Sequence, residues 1–372
     1  MQEDLVKEAE DQAEIPEQSA RIYKEHLGEL VEKVNSLMLS RADIKMLIGE
    51  NPAGVMLDNH RNHAFFMSNV FSLNAGGLLA RTVPWVYSTY RNHGFDYAYF
   101  PAHLNAWCRA LEQLLPADDA APLIRVYEWM LSRHEDFIRA AEQYTPLIPE
   151  PAPEWKDKFE DFLYALLKAD KKTCTEIAKR SVDSSAGLAD FYLNVIQPAM
   201  YAVGNKWEAG EISVAAEHLA SAVVNKIMSM HYLELMKEPA EDKGRAAVMT
   251  SAANEFHEIG ATMVTNVLEA EGWEVAYLGA NTPLSEFVEF VRSENFDVVM
   301  ISVTMAFNLE FVKEAIQDIR ENPETASPRI MVGGLVFNDC PGLAEKLGAD
   351  GYAADCRQAA DLADRWKKSN RL

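Results

Sequence analysis

The feature that most constrains the fold is the alternation of short apolar runs with helix-patterned stretches over residues 244–372. Ala246-Ala247-Val248-Met249-Thr250-Ser251 reads as a strand covered on both faces, because apolar residues run through it without alternation. Four more runs follow, Glu274–Leu278, Val298–Val303, Ile330–Val332 and Gly351–Ala353. Strands that alternate with helices predict a parallel sheet with right-handed crossovers. Sheets of this kind bind ligands beyond the carboxyl ends of their strands.

The first strand leads into Glu255-Phe256-His257-Glu258-Ile259-Gly260, after which Ala261–Leu268 takes helical spacing. His257 therefore sits on a strand-to-helix loop at the ligand-binding edge. A neutral imidazole is a common metal ligand. Glu255, two residues earlier, could accept from the other ring nitrogen and fix the tautomer. Gly260 would let a large ligand approach the backbone closely. A lone loop histidine more often has no ligand. Here Ser302-Val303-Thr304 ends a second apolar run and Gly333-Gly334 a third.

Together these motifs resemble the cobalamin-binding domain of methionine synthase, corrinoid carrier proteins and cobalamin photoreceptors. That family carries Asp-x-His-x-x-Gly, then Ser-x-Leu or Ser-x-Thr, then Gly-Gly. The resemblance implies a flavodoxin-like five-stranded parallel-sheet domain over 244–372. It implies that His257 is the lower axial cobalt ligand, in place of the cofactor's dimethylbenzimidazole. It also implies that Ser302, Thr304, Gly333 and Gly334 line a slot for the displaced nucleotide tail. Glu255 stands where many members have Asp; the photoreceptors of the CarH type also carry Glu there.

Upstream the chain reads as helical. Residues 1–16 are acidic and are expected to be frayed. From Glu17 to Gly49, Tyr23, Leu27, Leu30, Val34 and Leu37 form one apolar stripe, read as a core helix, with a homodimer helix as the minority reading. Asn51-Pro52-Ala53-Gly54 breaks the pattern. The following stretch is dense in rings and histidines and completes an all-helical domain over 1–145. Such a cluster reads either as plain core or as a pocket for a flat conjugated ligand. In the second case Tyr87, Tyr90, Arg91, His93 and Tyr97 are the candidates. Cys108 carries no sign of reactivity, so attachment would be non-covalent.

Prolines 146, 149, 151 and 153 mark a semi-rigid linker over 146–154. Residues 155–238 match in size the four-helix cap that precedes the cobalamin domain in the same family, and 238–244 read as a short charged linker. Within the cap, Gly210 ends one helix and Ser213 caps the next. Trp207, followed after nine residues by Glu217-His218, resembles the CarH-type signature for the pocket of an upper adenosyl group. In those proteins a histidine follows the Trp; here Glu208 does. A carboxylate is the poorer partner for a cobalt already held by histidine, so the expectation is water at the open upper position after illumination, with His218 or His231 as the alternative ligand.

The chain of 372 residues has 35 Lys and Arg against 57 Asp and Glu, a net charge of −22 that disfavours nucleic acid and anionic membranes. It has no apolar run long enough to span a bilayer and no signal-peptide core. Its four cysteines lack metal-type spacing, which points to a reducing cytoplasm. No DNA-binding helix precedes the cap. The order of helical region, cap and cobalamin domain instead resembles the photocobilins, which hold cobalamin beside a bilin such as biliverdin. The expectation is a non-enzymatic, adenosylcobalamin-dependent light sensor with an unspecified output partner. The alternatives are a corrinoid methyl carrier of a methyltransferase system and a non-catalytic cobalamin sensor.

Overall fold

The computed structural model describes residues 2–12, 14–182, 184–235, 244–321, 328–340 and 342–369. They form two compact units, Met1–Pro146 with Glu208–Glu211, and Leu147–Trp207 with Ile212–Leu372.

The described part of the first unit is helical: α1 (Gln2–Gln12), α2 (Glu17–Glu25), α3 (Leu27–Leu39), α4 (Ile44–Ile48), α5 (Ala53–Ser72), α6 (Gly76–Asn92), α7 (Tyr99–Leu114), α8 (Ala117–Ser132) and α9 (His134–Glu142). The stripe read from the sequence faces inward at Tyr23, Leu30 and Val34, all fully buried. It is carried by two helices, because the chain turns at His26. The amino-terminal segment corrects the expectation of fraying. Helix α1 buries Leu5 and Ala9 and lies so close to Gly76 that a Cβ there would come within 2.0 Å of the Ala9 carbonyl oxygen. Arg133 pairs with Glu8 at 2.8 Å. The acidic composition hid a sparse apolar face.

Rings fill this unit's core. Tyr23 meets Phe71 edge-on at 5.0 Å, and Trp107 stacks on Tyr127 at 6.1 Å. Three histidines join them: His60 stacks on His103 at 4.8 Å, and His63 meets His103 edge-on at 4.7 Å. Trp107 Nε1 donates to His103 Nε2 at 3.2 Å, so the His103 proton resides on Nδ1. Burial holds the His60 imidazolium down at about 4. Burial, reinforced by His60, holds His63 at about 3, and His103 is depressed well below its ordinary value.

In the second unit α10 (Lys156–Leu167), α11 (Lys171–Ser181), α12 (Ser185–Phe191), α13 (Gln197–Glu208) and α14 (Val214–Leu235) precede the sheet. A π turn at Tyr192–Ile196 joins α12 to α13 into one rod, so four rods stand where the sequence expects four helices. The charged linker expected at 238–244 lies outside the described residues except for Gly244. The strands are β1 (Ala246–Ser251), β2 (Glu274–Tyr277), β3 (Val298–Ser302), β4 (Arg329–Gly333) and β5 (Gly351–Ala353), all parallel, in the order β2-β1-β3-β4-β5. This is the flavodoxin-like order, with its switch point between β1 and β3. The crossovers are α15 (Ile259–Ala270), α16 (Leu284–Ser293), α17 (Leu309–Glu321), then α18 (Leu335–Asp339) with α19 (Gly342–Lys346), and α20 (Cys356–Ser369) closes the unit. The helical rods share one core with the sheet: Phe191, Tyr192 and Val224 are buried in the same cluster as Val267, Leu268 and Met300. A buried hydrogen bond from Asn266 Nδ2 to the Tyr192 hydroxyl at 2.8 Å joins the α12–α13 rod to α15.

The buried histidines give a pH dependence. A base whose folded pKa is depressed is neutral in the native state and takes up a proton on unfolding. Stability is therefore complete above the unfolded value of 6.5 and is lost as pH falls toward about 4. Each such histidine contributes a slope of up to about 1.4 kcal/mol per pH unit within that window. Urea unfolding of the chain should show a first-unit midpoint that drops between pH 7 and 5, and drops less in His60→Asn. A midpoint constant over that range would contradict neutral buried imidazoles.

Candidate functional site

The site is built on the loop between β1 and α15. Glu255 is fully buried there, yet its carboxylate is saturated with donors. Oε1 accepts from His257 Nδ1 at 2.5 Å and from the His257 backbone N–H at 3.2 Å. Oε2 accepts from the backbone N–H groups of Thr304 at 2.8 Å and Met305 at 2.9 Å, and from Asn308 Nδ2 at 3.2 Å. Desolvation works against the charged carboxylate, but the bonds and charge of His257 and the two backbone donors outweigh it and hold the pKa below its ordinary value. For His257 the order is the same: desolvation opposes the proton, and Glu255 outweighs it, raising the pKa. With Nδ1 bound to Glu255, Nε2 is the ring nitrogen left for a metal. The side chain is 60% exposed. This is a histidine with its tautomer and orientation set from behind and its lone pair turned outward.

Along the carboxyl edge, Ser251, Ser302 and Gly333 lie side by side in register. Ser302 is buried. Thr304 contributes its backbone N–H to Glu255, and its side chain is half-buried. At Gly334 φ is +100°, and a Cβ would come within 2.2 Å of the Val303 carbonyl oxygen. The fold itself demands glycine there. A Cβ at Gly260 would meet nothing within 4 Å, so the fold makes no such demand at Gly260. Beside these residues Phe256 is 72% exposed. An outward imidazole nitrogen, an exposed aromatic and open space at Gly260 fit a large flat ligand carrying a metal. The sequence reading missed Asn308 and Met305, which no motif signals. It also missed Thr250 and Thr282, whose hydroxyls meet at 2.8 Å at the edge of the sheet.

The cap signature is dispersed over two helices. Trp207 is half-buried near the end of α13. Ser213 caps α14 as expected, accepting from Ala216 N–H at 3.2 Å. Glu217 takes a hydrogen bond from Ser221 Oγ at 2.8 Å, and His218 Nε2 is 3.6 Å from its carboxylate, with the His218 side chain 75% exposed. Glu217 is close enough for its charge to help raise the His257 pKa. One turn beyond Ser221, Asn225 Nδ2 donates to Glu258 Oε1 at 2.9 Å. Glu208 groups with the first unit, where Asn92 Nδ2 donates to its backbone oxygen at 3.0 Å, and desolvation raises its carboxyl pKa.

The five candidates for a second chromophore do not form one pocket. Tyr87 and Tyr90 line a cavity of about 50 Å³ together with His63, Tyr99, Phe100 and His103. Tyr87 lies flat on Phe100 at 3.6 Å. Arg91, His93 and Tyr97 do not line it. Arg91 pairs with Asp96 at 3.7 Å and lies over the Tyr97 ring at 5.4 Å, and the His93 carbonyl accepts from Asn51. His93 and Tyr97 lie beyond the end of α6, and the Tyr97 ring still comes within 6.2 Å of Tyr87. The Tyr99 hydroxyl, His103 Nδ1 and His60 Nε2 are buried without a hydrogen-bond partner. Burial pushes the Cys108 thiol up to about 11, which leaves it unreactive.

Two segments match family models. Residues 245–361 match the B12 binding domain, and residues 158–231 match a second model with the same description. This part of the chain is a cobalamin-binding module. It is similar to a corrinoid protein of Desulfitobacterium hafniense, 22% identical over 55% of this chain and 95% of that protein. It is also similar to dimethylamine corrinoid protein 2 of Methanosarcina mazei, at 26% over 47% of this chain and 81% of the relative. Monomethylamine corrinoid protein 2 of Methanosarcina acetivorans is 26% identical over 55% of this chain and 95% of its own length. The solved monomethylamine corrinoid protein of Methanosarcina barkeri overlays 56% of this chain and 97% of that chain, at 22% identity and a TM-score of 0.48.

Two glycines separate fold from ligand. Gly334→Ala forces a side chain into a left-handed backbone conformation and against a carbonyl, and should cost about 2 kcal/mol or more without cobalamin. Gly260→Leu should leave the cobalamin-free protein as stable as the parent, because the space is open, yet weaken cobalamin binding at least about tenfold, the equivalent of 1.4 kcal/mol. Thermal melts and equilibrium dialysis check both. A Gly260→Leu protein that binds like the parent would contradict a ligand over that helix start.

Proposed function

We propose that residues 147–369 hold cobalamin with His257 as the lower cobalt ligand, and that the protein works as a corrinoid carrier, presenting a group on the upper face of cobalt to a partner. The observation that carries the proposal is the His257–Glu255 pair, with Glu255 buried among its donors and the imidazole exposed. The corrinoid proteins to which the chain is similar support the carrier reading. When bound, cobalamin supplies an exchangeable alkyl group on cobalt. The chain's own residues fix the imidazole, turn its free nitrogen outward through Glu255, and place Trp207, Glu217 and His218 in the helical rods that precede the sheet. Ser302, Thr304, Gly333 and Gly334 are proposed to hold the nucleotide tail at the carboxyl edge.

A second reading, a light sensor that uses adenosylcobalamin and a bilin, is favoured by one observation. The first unit keeps Tyr99 and His103 with unpartnered polar atoms at a ring-lined cavity, and His60, stacked on His103, with another, a costly arrangement for plain core. Carrier relatives that align with about half of this chain account for none of this.

One comparison separates the readings. The protein is loaded in darkness with methylcobalamin or adenosylcobalamin, with and without biliverdin, then illuminated with green light. A carrier should bind both alkylcobalamins with similar affinity, gain no red-absorbing band with biliverdin, and sediment identically before and after light. Strong preference for the adenosyl form, a biliverdin band lost in Tyr87→Ala, and a light-dependent change in sedimentation would replace the carrier reading with the sensor.

A further inference from the structure

The residue that follows His257 is tied to the cap. Glu258 is the residue at the amino end of α15, and its backbone carbonyl accepts from Thr262 N–H at 2.9 Å. Its side chain leaves the loop and accepts from Asn225 Nδ2 at 2.9 Å. Both residues are half-buried. Asn225 lies eight residues after Glu217 and four after Ser221, so all three share one face of α14. The neighbouring face buries Val223, Val224, Ile227 and Met228. Apolar contacts of that kind tolerate sliding and rolling. A hydrogen bond to a carboxylate adjacent to His257 does not, because it fixes the height and rotation of one point on the helix.

The peptide chain carries the connection the rest of the way. His257 is held from behind by Glu255 and from the next residue by the Glu258–Asn225 bond. The helix that presents Glu217 and His218 and the loop that presents the imidazole are thus joined by one side-chain bond and one peptide unit. We propose that Asn225 is a positioning residue that couples displacement of the α14 cap helix to the geometry of the His257 ring, so that the upper and lower faces of the bound corrinoid report on each other. The coupling is reciprocal, as linkage requires: a change at the lower ligand alters how firmly α14 is held. It rests on the cobalamin reading above, and holds for a carrier or a sensor.

The test uses the full chain loaded with cob(II)alamin, whose absorption spectrum distinguishes a nitrogen-ligated lower face from an unligated one. Hydrogen exchange of the α14 amides reports the cap in the same samples. Asn225→Leu should raise α14 exchange about tenfold, the scale of one charge-assisted hydrogen bond, and should shift the spectrum toward the unligated form. Glu258→Leu should do the same, and the double variant should add little. Glu258→Gln keeps the acceptor oxygen and should behave as the parent in both readouts. If Asn225→Leu loosens α14 while the spectrum stays unchanged, or changes neither, the bond is merely structural and the coupling is refuted. If the parent shows no nitrogen-ligated spectrum, the cobalamin reading itself fails, a distinct outcome visible before any variant is made.

Discussion

The buried carboxylate of Glu255 is the interaction on which the site depends. A carboxylate without solvent costs several kcal/mol unless its lone pairs are filled. Here they are filled from two different loops: the one after β1 supplies His257, and the one after β3 supplies Thr304, Met305 and Asn308. Those loops meet where the strand order β2-β1-β3 reverses direction, the place where such sheets open a crevice. Glu255 therefore does two things at once. It closes the two loops into one rigid rim, and it converts His257 from a free loop side chain into an oriented base with one nitrogen available.

The rest of the rim follows from what that arrangement needs. Gly334 allows the chain after β4 to pass against the Val303 backbone, which keeps the β3 loop, and so the Glu255 donors, in place. Gly260 is glycine for no reason internal to the fold. The cap completes the site through α14, whose polar face carries Glu217, Ser221 and Asn225, while its apolar face is sealed into the shared core. The first unit follows a different physical logic. Its core is built of rings and neutral imidazoles, rigid by stacking but with polar atoms left unmatched, and its stability is bound to pH where the sheet's is not drawn from the same source.

How far the sequence was legible depended on whether the signal was local. All five strands were readable, because an uninterrupted apolar run has few other fates, and their ends moved by a residue at most. Glu255, His257 and Gly334 were readable because their spacing is fixed by the loop that holds them. Asn308 and Asn225 were not, since each acts over a long sequence separation and no pattern announces the partner. The amino-terminal helix was misread because two buried residues, Leu5 and Ala9, suffice when Gly76 admits close contact. The ring cluster was harder to place from sequence. Tyr87, Tyr90, Arg91, His93 and Tyr97 are neighbours in sequence, but only the first two line the cavity; His93 and Tyr97 follow the end of α6, and Arg91 lies over the Tyr97 ring. The histidines that do reach the cavity, His63 and His103, come from α5 and α7.

The central claim is that His257 Nε2 is the lower cobalt ligand, with Nδ1 engaged by Glu255. Its most direct measurement is electron paramagnetic resonance of cob(II)alamin bound to protein labelled with nitrogen-15 at histidine. The unpaired electron couples to the lower nitrogen, so the label changes the splitting from the triplet of ordinary nitrogen to a doublet. The account predicts a doublet in the parent protein that disappears in His257→Ala. A triplet unaffected by the label would mean that the cofactor's own base remains on cobalt, and would contradict the account.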